Sequence, residues 1–86
     1  MMKNNVLQIH PNDTVAVAVA EIKEGESLRG AGREGMVAVT DIPRHHKVAL
    51  RDMEKDSPVI KYGEKIALAK AFIRAGEWVH THNIKE

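Results

Sequence analysis

Between Asp41 and Asn83 the apolar residues come in alternating or clustered runs of four to six, each broken by Pro, Gly, Asp or Ser. That period and punctuation belong to short strands rather than to helices, and they limit the chain to a small β-rich fold. The same stretch carries four of the five histidines, so the candidate chemistry and the most regular pattern coincide.

In chain order, residues 6–9 suit a first strand, closed by the turn-like His10-Pro11-Asn12-Asp13. Residues 14–22, TVAVAVAEI, follow as a second strand, with Val15, Val17 and Val19 on one face and alanines between them. Alternate β-branched residues favour strand there although alanine favours helix. One face is expected to be buried and the alanine face closely approached. Residues 24–35 hold four of the six glycines and five charges, and read as a surface loop or loose hairpin. Strands are then expected at 36–40, 47–50, 59–62, 66–71 and 78–84, although IALAKAF alone also suits a helical turn. Pro58 lacks a backbone donor and fits the start or edge of its strand.

A four-residue unit recurs at Ile22-Lys23-Glu24-Gly25, Ile42-Pro43-Arg44-His45, Met53-Glu54-Lys55-Asp56 and Ile73-Arg74-Ala75-Gly76. Its spacings of 20, 11 and 20 residues are too irregular for a solenoid. Each unit reads as one way of entering a strand: an apolar plug, a left-handed position at the fourth residue, then extended chain.

Eighty-six residues make a single small domain, 1–86, whose core is modest enough to lean on a partner. The chain has no cysteine, which excludes disulfides, thiolate metal sites and a cysteine nucleophile, and fits a cytoplasmic setting. MMKNNVLQIHPND is neither a signal peptide nor a membrane span. Thirteen basic and twelve acidic residues are interspersed, and Tyr62, Phe72 and Trp78 are the only aromatics beside the histidines. Neither nucleic acid nor a membrane is an expected partner, and self-association is compatible with the size.

Three ordered motifs carry a resemblance: Ile42-Pro43-Arg44-His45-His46-Lys47-Val48-Ala49-Leu50, Val59-Ile60-Lys61-Tyr62-Gly63-Glu64, and Ile73-Arg74-Ala75-Gly76-Glu77-Trp78-Val79-His80-Thr81-His82-Asn83. Together they resemble the N-terminal region of the altronate and galactarate dehydratase family. The resemblance implies an all-β SAF-type β-clip domain, which in some members is a separate small subunit beside a large catalytic one. His45 departs from the family pattern, which has Gly at that position. The implied activity is that of a hydro-lyase: loss of water from a 2,3-dihydroxy sugar acid gives a 2-keto-3-deoxy acid, with a divalent metal, iron(II), in the assembled enzyme. A small subunit of sulfolactate sulfo-lyase is similar, so sulfite elimination is an alternative. A further one is a stand-alone SAF module that binds a sugar acid without transforming it, although the chain has few aromatics for a sugar platform.

Eliminating a β-hydroxyl from a carboxylate calls for a base at the α-carbon, a cation for the enediolate and an acid for the departing oxygen. His46, His80 and His82 are the candidate catalytic residues. Lys47, Lys61 and Asn83 are candidates for substrate binding. On a regular strand His80 and His82, two apart, leave the same face and could share one metal, with His46 or a residue of the large subunit as third ligand. Asn83 then points to the other face unless the chain turns there. The plainer alternatives are that the two histidines sit on a wet strand, that Lys47 is solvated, and that Trp78 is a core or interface anchor.

Overall fold

In the computed structural model, which describes residues 3–32 and 35–86, the chain is all β, with no helix among those residues. Arg33 and Glu34, inside the glycine-rich loop expected from the sequence, lie outside the described residues. Seven strands form among the described residues: β1 (Val6–Leu7), β2 (Val15–Ala18), β3 (Lys47–Ala49), β4 (Pro58–Lys61), β5 (Glu64–Ala69), β6 (Trp78–Val79) and β7 (Ile84–Lys85). They pair antiparallel in two sheets, ordered β1-β2-β3-β6 and β4-β5-β7.

The four recurring units are the joints of this architecture. Their first residues pair across the molecule, Ile22 with Ile42 and Met53 with Ile73, and all four are buried. Their fourth residues all have positive φ: Gly25 at 91°, His45 at 71°, Asp56 at 68° and Gly76 at 89°. Each of these residues also donates its backbone N–H to an alanine carbonyl. The pairs are Gly25 to Ala38 at 2.8 Å, His45 to Ala18 at 2.7 Å, Asp56 to Ala69 at 2.8 Å and Gly76 to Ala49 at 2.8 Å.

Side chains repeat the same arrangement. Asp41 Oδ1 accepts from Glu24 N and Asp52 Oδ1 from Ala75 N, both at 2.8 Å, while Glu26 and Glu77 accept from Lys23 N and Arg74 N at 2.9 Å. The irregular spacing therefore has a simple origin. The units bond in pairs, and the first pair is matched by the second with the order of its members exchanged. His45 occupies the same left-handed position, and the backbone bond that closes its turn, His46 N to the Pro43 carbonyl at 3.1 Å, matches Glu26 N to Lys23 and Glu77 N to Arg74 at 3.0 Å.

The four-stranded sheet is covered on both sides. Val6, Ala16, Ala18, Val48 and Leu50 face one core, completed by Ile22, Leu28, Ala38 and Ile42. Val15, Ala49 and Val79 face a second core, formed with Met53, Val59, Ala67, Ala69 and Ile73. The expected valine face of residues 14–22 is thus only partly realised. Ala16 and Ala18 are buried, Val17 is half-buried, Val19 is 42 % exposed, and the strand stops at Ala18. The small alanine side chains let the loops close over that face, whereas the second sheet covers the valine face only around Val15.

Other boundaries also shift. Residues 36–40 make a single bridge, Ser27 with Val37, instead of a strand, and the stretch expected as one strand over 78–84 breaks after Val79. The run IALAKAF is not helical: its first four residues lie in β5, which begins at Glu64 and ends at Ala69, two residues short of the expected strand over 66–71.

Asp13 ties the tip of the β4–β5 hairpin to the first sheet. Its buried carboxylate accepts from Gly63 N at 2.8 Å and from His10 N at 3.0 Å. Beside it, Thr14 and Ile60 exchange two bonds of 3.0 Å. Burial pushes the Asp13 carboxyl up, but the backbone N–H groups of Gly63, His10 and Tyr62 and the nearby His10 outweigh it, and the net shift is downward. A depressed folded-state value means that this stabilisation is present above the unfolded carboxylate pKa of about 3.9 and is lost as pH falls through the folded value. Asp13→Asn should therefore lie about 1–3 kcal/mol below the wild type in urea unfolding at neutral pH and converge with it in acid. A constant gap across that range would mean that the charge contributes nothing.

Candidate functional site

The corner where β3 begins and β6 ends collects three of the five histidines. Val48 pairs with Trp78 and Lys47 with Val79, so Trp78 shares a face with the first core and packs against it. His46, one residue before β3, lies on that same side, and the Trp78 indole Nε1–H donates to His46 Nδ1 at 3.1 Å.

The other two histidines arrive through a turn. After Val79 the chain folds back, with Asn83 N donating to the His80 carbonyl at 3.0 Å. Asn83 holds the loop from inside: its Oδ1 accepts from His80 N at 2.9 Å, and its Nδ2 donates to the Trp78 carbonyl at 2.8 Å and to Glu77 Oε2 at 3.4 Å. The result surrounds Trp78 with imidazoles. His80 stacks on it at 5.8 Å and 11°, His82 lies at 4.7 Å, His46 at 5.6 Å, and His46 and His80 are 4.5 Å apart between centroids. His46, Trp78 and His80 are half-buried and His82 is exposed.

This geometry sorts the candidate residues into three groups. His46, His80 and His82 come together, His46 through the pairing of β3 with β6 and the other two through a turn rather than by strand alternation. Lys47 points the other way, with Val79 and the second core, and Lys61 stands near it with its Nζ 5.0 Å from the Tyr62 ring centroid. Partial burial, and then the charge of Lys61, hold the Lys47 amine below the ordinary lysine value. Asn83 is 7 % exposed, and its amide is committed to the backbone and to Glu77. Trp78, read from the sequence as a packing anchor, is the hub of the cluster. Its position two residues before His80 was the available signal.

Among the described residues no cluster of three or more His, Cys, Asp or Glu side chains can hold a metal ion. The two-histidine pair is incomplete as a metal centre, and His46 Nδ1 is already occupied by the indole. What the corner does offer is a set of imidazole nitrogens beside an aromatic wall, a group type suited to proton exchange and to holding an anionic oxygen.

Residues 4–86 match the sequence profile of the altronate/galactarate dehydratase SAF domain. The chain belongs to this family. As a SAF domain it is 42% identical over 79 residues to the altronate dehydratase of Escherichia coli, and 37% identical over 79 residues to that of Bacillus subtilis. Each match covers 92% of this chain and 16% of the relative, so the chain spans about a sixth of those enzymes' length. It is also 41% identical over 80 residues to the (2R)-sulfolactate sulfo-lyase subunit alpha of Chromohalobacter salexigens, covering 86% of this chain and 85% of that subunit. The SAF domain thus occurs in these relatives both as a small part of a long dehydratase and as most of a short lyase subunit.

Proposed function

We propose that this SAF domain is the small component of a sugar-acid hydro-lyase, working with a larger catalytic chain to convert a 2,3-dihydroxy acid into a 2-keto-3-deoxy acid. The observation that carries the reading is the convergence of His46, His80 and His82 around Trp78 in a domain similar to part of the altronate dehydratases. His80 and His82 supply proton exchange at the reacting carbons, and His46 contacts an oxygen of the substrate. Lys47 and Lys61, on the other face, offer positive charge to a carboxylate of the substrate or of the larger chain. The divalent metal of the assembled enzyme, iron(II) in this reading, takes its full ligand set only with residues of the larger chain.

The test is reconstitution with the larger chain that co-purifies from the host, followed by an assay for 2-keto acid from altronate and galactarate. His82→Ala is expected to lower turnover by about 10²-fold or more while leaving assembly intact. Unchanged turnover in the assembled variant would remove His82 from the reaction.

A second reading rests on coverage. The match takes in 85% of the sulfo-lyase subunit alpha but 16% of the altronate dehydratases. Elimination of sulfite from sulfolactate asks for the same α-proton removal with a different leaving group. Release of sulfite, with no keto acid formed from either sugar acid, would favour it.

A further inference from the structure

The direction of one hydrogen bond divides the work among the three histidines. An indole N–H can only donate. The Trp78 Nε1–H is 3.1 Å from His46 Nδ1, so Nδ1 must present its lone pair, and in the neutral ring the proton sits on Nε2. Trp78 is fixed in turn by pairing with Val48 on β3 and by packing against the first core. His46 is fixed by its backbone N–H, which donates to the Pro43 carbonyl at 3.1 Å, and by the His80 ring against it. Nε2 lies across the ring from the indole. It has no hydrogen-bond partner among the described residues, and it is not one of their buried, unpaired atoms.

We propose that Trp78 is a positioning residue that holds neutral His46 as the Nε2–H tautomer, so that His46 serves as a hydrogen-bond donor to an anionic oxygen of the substrate. In that tautomer the outward nitrogen has no lone pair in the ring plane. It can neither take the α-proton nor ligate a metal, and proton removal is left to His80 and His82. The oxygen it meets is a carboxylate or the oxygen that gathers charge as the bond to the leaving group breaks, where a fixed neutral donor acts without reorganising. The choice of substrate rests on the lyase reading above. The tautomer rests on the hydrogen bond alone.

Imidazole nitrogen NMR on the 86-residue chain, taken at about pH 8.5 where an ordinary histidine is neutral, reads the tautomer directly. His46 is expected to show a protonated Nε2 and a bare Nδ1. In Trp78→Phe both tautomers of His46 are expected to be populated. A wild-type His46 with its proton on Nδ1, or with the two forms equally populated, overturns the proposal whether or not the Phe variant folds.

In the reconstituted lyase, His46→Ala is expected to lower kcat by about 10²-fold, and His46→Gln, which keeps an N–H donor near Nε2 but cannot act as a base, to recover most of that loss. A Gln variant as inactive as the Ala variant overturns the donor role. Absence of any turnover in the wild-type complex overturns the lyase reading and the substrate role with it, while the tautomer is judged on the spectrum.

Discussion

Gly76→Ala is expected to cost more than about 3 kcal/mol and to leave the domain largely unfolded at temperatures where the wild type is intact. Two effects add. Gly76 has φ 89°, a conformation that costs a residue with a Cβ about 1–3 kcal/mol. A Cβ built there would also overlap the Val37 carbonyl oxygen. That oxygen belongs to backbone and cannot rotate away. Val37 is bridged to Ser27, and the next peptide is tied by Val39 N donating to the Gly76 carbonyl at 2.9 Å.

The matching unit supplies the control. Gly25 has φ 91° and makes the equivalent turn, but nothing lies within 4 Å of where its Cβ would be. Gly25→Ala should therefore show the conformational cost alone. Thermal unfolding of the two variants separates the effects, and equal losses would show that the approach of Val37 is not what requires glycine at position 76. The position also matters for the site, because the same turn delivers Trp78 two residues later.

Asn83→Ala should be the most damaging single change within the histidine corner. It removes an amide that joins His80 N, the Trp78 carbonyl and Glu77, and leaves two partly buried backbone groups without partners. Each such orphaned group costs about 1–3 kcal/mol, so a loss of about 2–4 kcal/mol in denaturant unfolding is expected. The turn that places His80 and His82 on Trp78 should loosen at the same time, visible as loss of the ring-current shifts on both imidazoles. Asn83→Asp is the informative companion. It keeps the acceptor for His80 N but loses the donor to Trp78 and sets a second carboxylate beside Glu77, so it should fall between the wild type and Asn83→Ala. An Asn83→Ala variant of wild-type stability with unshifted imidazole resonances would show that the turn forms without its internal cap.

Asn83 also shows where sequence reasoning stops. Its residue type suits a substrate contact as well as a cap, and only the break after Val79 turns it inward. The histidines differ in this respect. His80 and His82 were expected to share a face through alternation along a continuous strand, and they come together through a turn instead, with Trp78 as the surface on which they and His46 settle.

By itself the sequence determined the all-β class, most of the strand-forming runs, though not those expected at 36–40 and across 78–84, and the four left-handed turn positions at Gly25, His45, Asp56 and Gly76. These depend on φ preferences and side-chain alternation, which act over a few residues. The tertiary structure alone decided which face of β2 is buried deepest, that the units pair as 22 with 42 and 53 with 73, and that Lys47 and Lys61 stand apart from the imidazoles. Those outcomes depend on what covers each face and on bonds between residues 20 or more apart in the chain. A short-range pattern carries no record of either.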